Sequence, residues 1–222
     1  MKIASAFHAK SQAASGVQRP GRRTVDLMTR TLHGLMAVSF AVGYVTAESE
    51  RTMALHIAMG YTLGVLLAVR VVWGLVGPRP VRWGVFKQKL QSVRLLLQPS
   101  ASVQSWLMRV QPPVLAGSIV FVLLCMLPLV LSGYASDQDW AGWGAVLGEA
   151  HDALANLMLI GVLAHVALVL VLSVLRQKNL ALPMLTGRVR EQGPDLVRHN
   201  YAWAALWLAV GVVTFWSWLG LA

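Results

Sequence analysis

The chain has 222 residues, apolar side chains at 56% of its positions and a mean hydropathy of +0.60, which together exclude an ordinary soluble domain. Its formal net charge is +10, but the basic residues are confined to a few polar segments, and this pattern argues against nucleic-acid binding. The single cysteine, Cys125, excludes an intrachain disulfide.

The N-terminal segment is polar and basic. It lacks the apolar core of a signal peptide, and its Lys and Arg residues are typical of a flank that stays in the cytoplasm. We assign residues 1–23 to a cytoplasmic basic N-terminal tail.

Five apolar runs follow, and each predicts a helix that crosses a membrane. The predicted spans are Val25–Thr46, Thr52–Val76, Pro113–Tyr134, Gly148–Leu175 and Tyr201–Leu221. Residues 24–190 contain the first four spans, and residues 191–222 contain a C-terminal, Trp-rich fifth span.

The loop charges give these spans a direction. Of the 19 Lys and Arg residues, six lie at or before Arg30, seven between Arg70 and Arg109 and five between Arg176 and Arg198, so 18 fall on one side and only Arg51 on the other. Cytoplasmic loops carry the excess of positive charge. We therefore expect a cytoplasmic N-terminus and, with five spans, a C-terminus on the opposite side of the membrane.

The long loop between the second and third spans carries apolar residues at helical spacing, with basic residues among them. The apolar residues are Phe86, Leu90, Val93 and Leu97, and the basic ones are Lys87, Lys89 and Arg94. The pattern predicts an amphipathic helix on anionic lipid headgroups. A solvated basic loop is the alternative.

Four histidines lie inside the predicted spans. An ionisable side chain in hydrocarbon is costly and usually marks a functional pathway. His151 and His165 are fourteen residues apart, so they share a helix face and stand roughly 21 Å apart along the axis. The topology puts His33 and His165 toward the cytoplasm and His56 and His151 toward the outer side.

Two pairs of imidazoles on facing helices suit two iron porphyrins, each held by two trans ligands. The alternatives are hydrogen-bonded core histidines or a proton relay. Zinc is disfavoured, because no carboxylate or thiolate clusters with these histidines. His8 and His199 are interpreted as surface residues. The absence of a Cys-x-x-Cys-His motif excludes a covalently attached haem.

Arg70 follows His56 by fourteen residues, so the two share a face of the second span at opposite depths. Its guanidinium suits a haem propionate at the membrane boundary. A snorkelling arginine that only sets the topology is the alternative.

At these residues the chain resembles the bacterial di-haem cytochrome b family, which includes the prokaryotic cytochrome b561 proteins and the b-type cytochrome subunits of nickel–iron hydrogenases. The resemblance rests on short motifs within spans one to four. They are Arg30-x-x-His33, His56-x-x-x-Gly60, Arg70-x-x-Trp73-Gly74, the pair His151 and His165, and Met184-x-x-Gly187. One departure is that Leu32 and Gly34 flank the first histidine, where many relatives have an aromatic residue.

The resemblance implies an all-α integral membrane protein with a four-helix transmembrane bundle that holds two b haems, plus a fifth C-terminal transmembrane helix. It implies that His33, His56, His151 and His165 are the axial ligands, paired as His33 with His165 and His56 with His151, and that Arg70 binds a propionate.

The function expected from this resemblance is electron transfer between the quinone pool and a periplasmic redox partner, either a c-type cytochrome or a hydrogenase-like enzyme. The chain would be a subunit of a quinone-linked oxidoreductase, and bis-histidine ligation would leave no catalytic position on the iron. A stand-alone oxidoreductase that passes electrons from superoxide or another small donor to quinone is an alternative. A proton-coupled transporter and a structural anchor are alternatives from other classes.

Overall fold

The computed structural model describes residues 21–98, 102–191 and 193–220, so most of the predicted basic tail, including His8, lies outside the described residues. The described chain is a helical bundle with one short two-stranded ribbon. Its helices are α1 (Leu27–Thr46), α2 (Met53–Val76), α3 (Trp83–Gln91), α4 (Val103–Asp137), α5 (Gly144–Leu175), α6 (Leu182–Thr186) and α7 (Ala202–Trp218), and its strands are β1 (Arg22–Arg23) and β2 (Arg188–Val189). Short 3₁₀ turns cover Glu50–Thr52, Arg79–Val81, Ser92–Leu97 and Trp140–Gly142.

Three helical segments are long and apolar enough to cross a membrane, namely Glu50–Val76, Ser105–Asp137 and Gly144–Leu175. They contain α2, α4 and α5, and they make the protein an all-α membrane protein. Of the other two predicted spans, α1 has 20 residues, and α7 is an apolar helix of 17 residues.

We call the two ends of the bundle by their charges. The basic end carries the ribbon, α3 and the loop that follows α5. The acidic end carries the α1–α2 and α4–α5 loops, with Glu48, Glu50, Asp137, Asp139 and Glu149.

Helix α4 begins ten residues before the predicted start at Pro113. Ser102 caps it by accepting a hydrogen bond from the backbone N–H of Ser105, and the Ser105 hydroxyl accepts one from the N–H of Ser102. Pro112 and Pro113 lie inside the helix rather than at its start. The cap, rather than the prolines, sets the helix start.

The amphipathic segment after α2 forms a helix, as its spacing predicts. Phe86 of α3 is buried while Lys87 and Leu90 are exposed, and the helix packs on α4. Trp83, at the start of α3, donates its indole N–H to the carbonyl oxygen of Val71 at 3.1 Å. The helix is therefore anchored to the bundle through its aromatic residues.

An apolar core fills the middle of the bundle, between its basic and acidic ends. It combines side chains of α1, α2, α4 and α5, namely Phe40, Leu63, Leu67, Cys125, Met126, Leu129 and Met158. A second cluster joins α1 and α2 to α7, where the Trp216 indole donates to the Thr62 hydroxyl at 3.0 Å. Helix α7 thus packs on the side of the bundle.

The ribbon fixes the start of α1 at the basic end. Arg22 pairs with Val189, and Arg23 pairs with Arg188. The Arg30 side chain donates to the carbonyl oxygens of Met184 and Leu185. Next to them Gly187 adopts a left-handed φ of 77°, where a side chain would meet the Val25 carbonyl. The Met184-x-x-Gly187 motif therefore holds the start of α1 in place.

A substitution at Gly74 tests how α3 packs against α2. A Cβ at Gly74 would lie 2.3 Å from the Trp83 indole, so Gly74→Ala should displace Trp83 and destabilise the fold by about 1–3 kcal/mol. Thermal unfolding in detergent and limited proteolysis of α3 measure this. Gly84→Ala is the control, because its Cβ meets nothing within 4 Å. Equal melting temperatures and cleavage rates for the two variants would contradict the packing.

Candidate functional site

The four predicted ligand histidines come from three helices. His33 lies on α1, His56 on α2, and His151 and His165 on α5. Helix α4 contributes no histidine, but its packing on α5 is the most extensive between any two helices of the described chain. This packing determines how the two α5 imidazoles are held.

At the acidic end, His56 and His151 face each other with ring centres 5.9 Å apart and ring planes 87° apart. The Nδ1 of His56 lies 2.8 Å from the carbonyl oxygen of Gly43 on α1. The Nδ1 of His151 lies 2.9 Å from the carbonyl oxygen of Leu129 on α4. A carbonyl only accepts, so both rings donate from Nδ1, and Nε2 is the nitrogen that could bind a metal.

This arrangement would suit two imidazoles that hold one metal ion between them. Two metal–imidazole bonds of about 2 Å, with roughly 1 Å from each bonding nitrogen to its ring centre, put the ring centres roughly 6 Å apart. Ligand histidines also commonly donate their second ring N–H to a backbone carbonyl, which fixes the tautomer. The predicted pairing of His56 with His151 therefore agrees with the geometry.

At the basic end, the predicted partners are His165 on α5 and His33 on α1. The Nδ1 of His165 lies 2.9 Å from the hydroxyl of Ser118 on α4. That hydroxyl donates its own proton to the Leu115 carbonyl at 2.9 Å, so its oxygen accepts from His165. Within the described residues His33 makes no hydrogen bond, and its side chain is exposed. The pairing of His33 with His165 stays a prediction.

Sequence reasoning missed the groups on α4 that hold these rings. Ser118 contacts His165, and Ser132 lies 3.4 Å from His151. The two serines are fourteen residues apart, as are the two histidines. In an antiparallel helix pair, equal intervals keep both contacts in register. The repeated interval was the signal that could have found them.

Glycines leave space around three of the histidines. A Cβ at Gly34 or Gly60 would meet nothing within 4 Å, so there is open space beside His33 and one turn after His56. By contrast, a Cβ at Gly133 would lie 2.8 Å from Cε1 of His151. Gly133 therefore allows the imidazole to reach the α4 backbone.

Arg70 is buried at the basic end and held against aromatic rings. Its guanidinium carbon lies 4.7 Å from the ring centre of Trp83 and 5.6 Å from that of Phe86. Its Nη1 is buried and has no hydrogen-bond partner among the described residues. The buried carboxylate of Asp26 interacts with it electrostatically. Arg70 thus keeps one donor for an additional anion, and a haem propionate would suit it.

The register of α1 and α2 relates this arginine to the histidines. The Trp73 indole donates to the Thr29 hydroxyl at 3.2 Å, and His56 bonds Gly43 at the other end of the same helix pair. Helices α1 and α2 run in opposite directions. Counting residues along both helices from either of these two contacts places Arg70 of α2 at about the same depth as His33 of α1.

The remaining candidate ligands do not join these pairs. His199 is exposed, with its ring 6.2 Å from that of Tyr201. Across residues 21–98, 102–191 and 193–220, no three His, Cys, Asp or Glu side chains cluster as a metal site would require. The histidines occur as pairs, which suits a planar cofactor that supplies the other ligands itself.

Comparison with known families gives one match. The family model described as prokaryotic cytochrome b561 matches residues 24–187. This confirms the resemblance noted from the histidine motifs. No curated protein and no solved structure matches the chain.

Gly133→Ala tests the contact between α4 and His151. The added Cβ should push the ring from the Leu129 carbonyl, and we expect the purified protein to lose about half of its haem. Alanine is about 1 kcal/mol better than glycine inside a helix, so weakened helix formation cannot explain such a loss. Gly117→Ala on the same helix is the control, since its Cβ makes only an ordinary 3.9 Å contact. Unchanged haem content in Gly133→Ala would contradict this role.

Proposed function

The chain belongs to the prokaryotic cytochrome b561 family and is thus a membrane b-type cytochrome that transfers electrons; we propose that it carries two b haems and connects the quinone pool to a periplasmic redox protein. The observation that carries this proposal is the facing pair His56 and His151 at the acidic end, with His165 held by Ser118 on the other side of one apolar core.

Four helices build both proposed sites. His33 and His165 would bind the haem at the basic end, and His56 and His151 the haem at the acidic end. Arg70 would pair with a propionate at the basic end. Haem supplies one-electron exchange between ferric and ferrous iron. Two histidines would hold each iron and leave no position open for a substrate, so we propose electron transfer without chemistry on a substrate at the iron.

Several features of the chain support a fit to haem. Nδ1 of three histidines is used within the protein, which leaves Nε2 as the ligand atom. Gly34 and Gly60 leave open space beside the ligands, and the spare Nη1 of Arg70 suits a carboxylate. The protein contributes ligands, an apolar environment and a fixed charge.

The loop charges support an orientation in the bacterial inner membrane. We propose that the basic end, with the N-terminus, faces the cytoplasm and the acidic end faces the periplasm. Helices α1, α2, α4 and α5 would form the four-helix transmembrane bundle, and α7 the fifth span with a periplasmic C-terminus. A c-type cytochrome or a hydrogenase-like enzyme would exchange electrons at the acidic end.

The haem count and its dependence on two histidines test this proposal. Pyridine-haemochrome analysis of the purified protein should give two b haems per chain. His165→Ala and His56→Ala should each retain one, because each removes a ligand from a different pair. The reduced-minus-oxidised spectra of the two variants should lack different components. A colourless folded preparation from haem-replete cells, or loss of the same component in both variants, would contradict the proposal.

Quinone reactivity is a separate expectation. A short-chain quinone added to the dithionite-reduced protein, after the excess reductant is removed, should oxidise the ferrous haem, as followed by decay of its absorption bands. Ferricyanide is the control for haem that can be oxidised at all. Rapid oxidation by ferricyanide with none by quinone would contradict the link to the quinone pool.

A further inference from the structure

We propose that the hydrogen bonds given to the histidines set the two haems at different potentials, with the basic-end haem the higher, and that Ser118 is the positioning residue that tunes it. This inference rests on the proposed function, since it assumes two bis-histidine haems. It concerns the groups that accept hydrogen bonds from the Nδ1–H of the ligand histidines.

The two pairs differ in those acceptors. At the acidic end both imidazoles donate to main-chain carbonyls, His56 to Gly43 and His151 to Leu129. At the basic end only His165 donates, and its acceptor is the hydroxyl of Ser118. Over the part of the chain that the structure describes, the acidic-end pair therefore has two carbonyl acceptors and the basic-end pair has one hydroxyl.

A glycine explains why the two α5 histidines differ. Gly133 lets His151 approach the α4 backbone, because any Cβ there would lie 2.8 Å from the ring. Fourteen residues earlier, at the equivalent position beside His165, the chain has Ile119. Isoleucine has the Cβ that Gly133 lacks, and at this depth His165 donates to the Ser118 hydroxyl instead of to a main-chain carbonyl.

Acceptor strength changes the electron donation of an axial imidazole. A ring whose N–H is held by a good acceptor is a more basic ligand, and a more basic ligand favours ferric iron, which lowers the potential. The acidic-end site, with two carbonyl acceptors, should therefore have the lower potential. The charge of the buried Arg70 acts in the same direction by raising the potential at the basic end, and the carboxylate of Asp26 offsets part of that charge.

This order gives the electron a preferred direction. If His56 and His151 hold the lower-potential haem and His33 and His165 the higher, one-electron transfer would run from the acidic-end site to the basic-end site. No bond forms or breaks in this exchange. In the absence of a membrane potential, the electron moves downhill from the periplasmic side toward the cytoplasmic side.

Spectroscopic redox titration of the full chain tests the inference, with His165→Ala identifying the basic-end component by its loss. We expect that component to have the higher midpoint potential. Ser118→Ala should raise it further by removing the acceptor, with a change of about threefold to tenfold in the redox equilibrium, or about 30–60 mV for one electron. Ser118→Thr keeps a hydroxyl and should restore the parent value.

Ser132→Ala is the matched control. It removes the equivalent serine at the acidic end, but the Leu129 carbonyl still holds His151, so neither potential should shift. Two haems with equal or reversed potentials, or no shift in Ser118→Ala, would overturn the inference and leave the proposed function standing. Equal shifts in both serine variants would also overturn it. Fewer than two haems in the parent protein would overturn the proposed function together with the inference.

Discussion

A buried imidazole between apolar helices must give its ring N–H to an acceptor that the neighbouring helix provides. Water is not available there, and an unsatisfied donor costs several kcal/mol in hydrocarbon. The α4–α5 pair meets this requirement at two depths, because Ser118 and the Leu129 carbonyl lie opposite His165 and His151. The same bonds fix which ring nitrogen is left for a ligand, so helix register determines the chemistry of the site.

Much of this site could be predicted from the sequence, because ionisable residues are costly to bury in a membrane and are therefore easy to recognise in apolar segments. The fourteen-residue interval and the loop charges predicted both histidine pairs, and the structure brings the rings of His56 and His151 to 5.9 Å from each other. The acceptors were not predicted, because Leu129 contributes a main-chain oxygen and Ser118 is an ordinary residue in a membrane helix. Such groups become informative only when the partner helix and its register are known.

The start of α4 and the surroundings of Arg70 show the same limit. Pro113 is favoured in the first turn of a helix, which made it a natural starting point, but the helix continues past both prolines from a cap at Ser102. Arg70 was predicted to lie at the membrane boundary on the same face as His56. Its contact with Trp83 depends on α3 folding back on Gly74, and no local pattern indicates such a long-range aromatic contact.

The ribbon that joins β1 to β2 has a consequence for biosynthesis. It pairs Arg22 with Val189, and Asn200 accepts a hydrogen bond from the N–H of Leu27 at the start of α1. Almost the whole chain must leave the ribosome before these contacts can form. The α1–α2 hairpin, with its bond between His56 and Gly43, uses only neighbouring segments and can form early. The α1–α2 hairpin can therefore begin to assemble during translation, while the ribbon closes last.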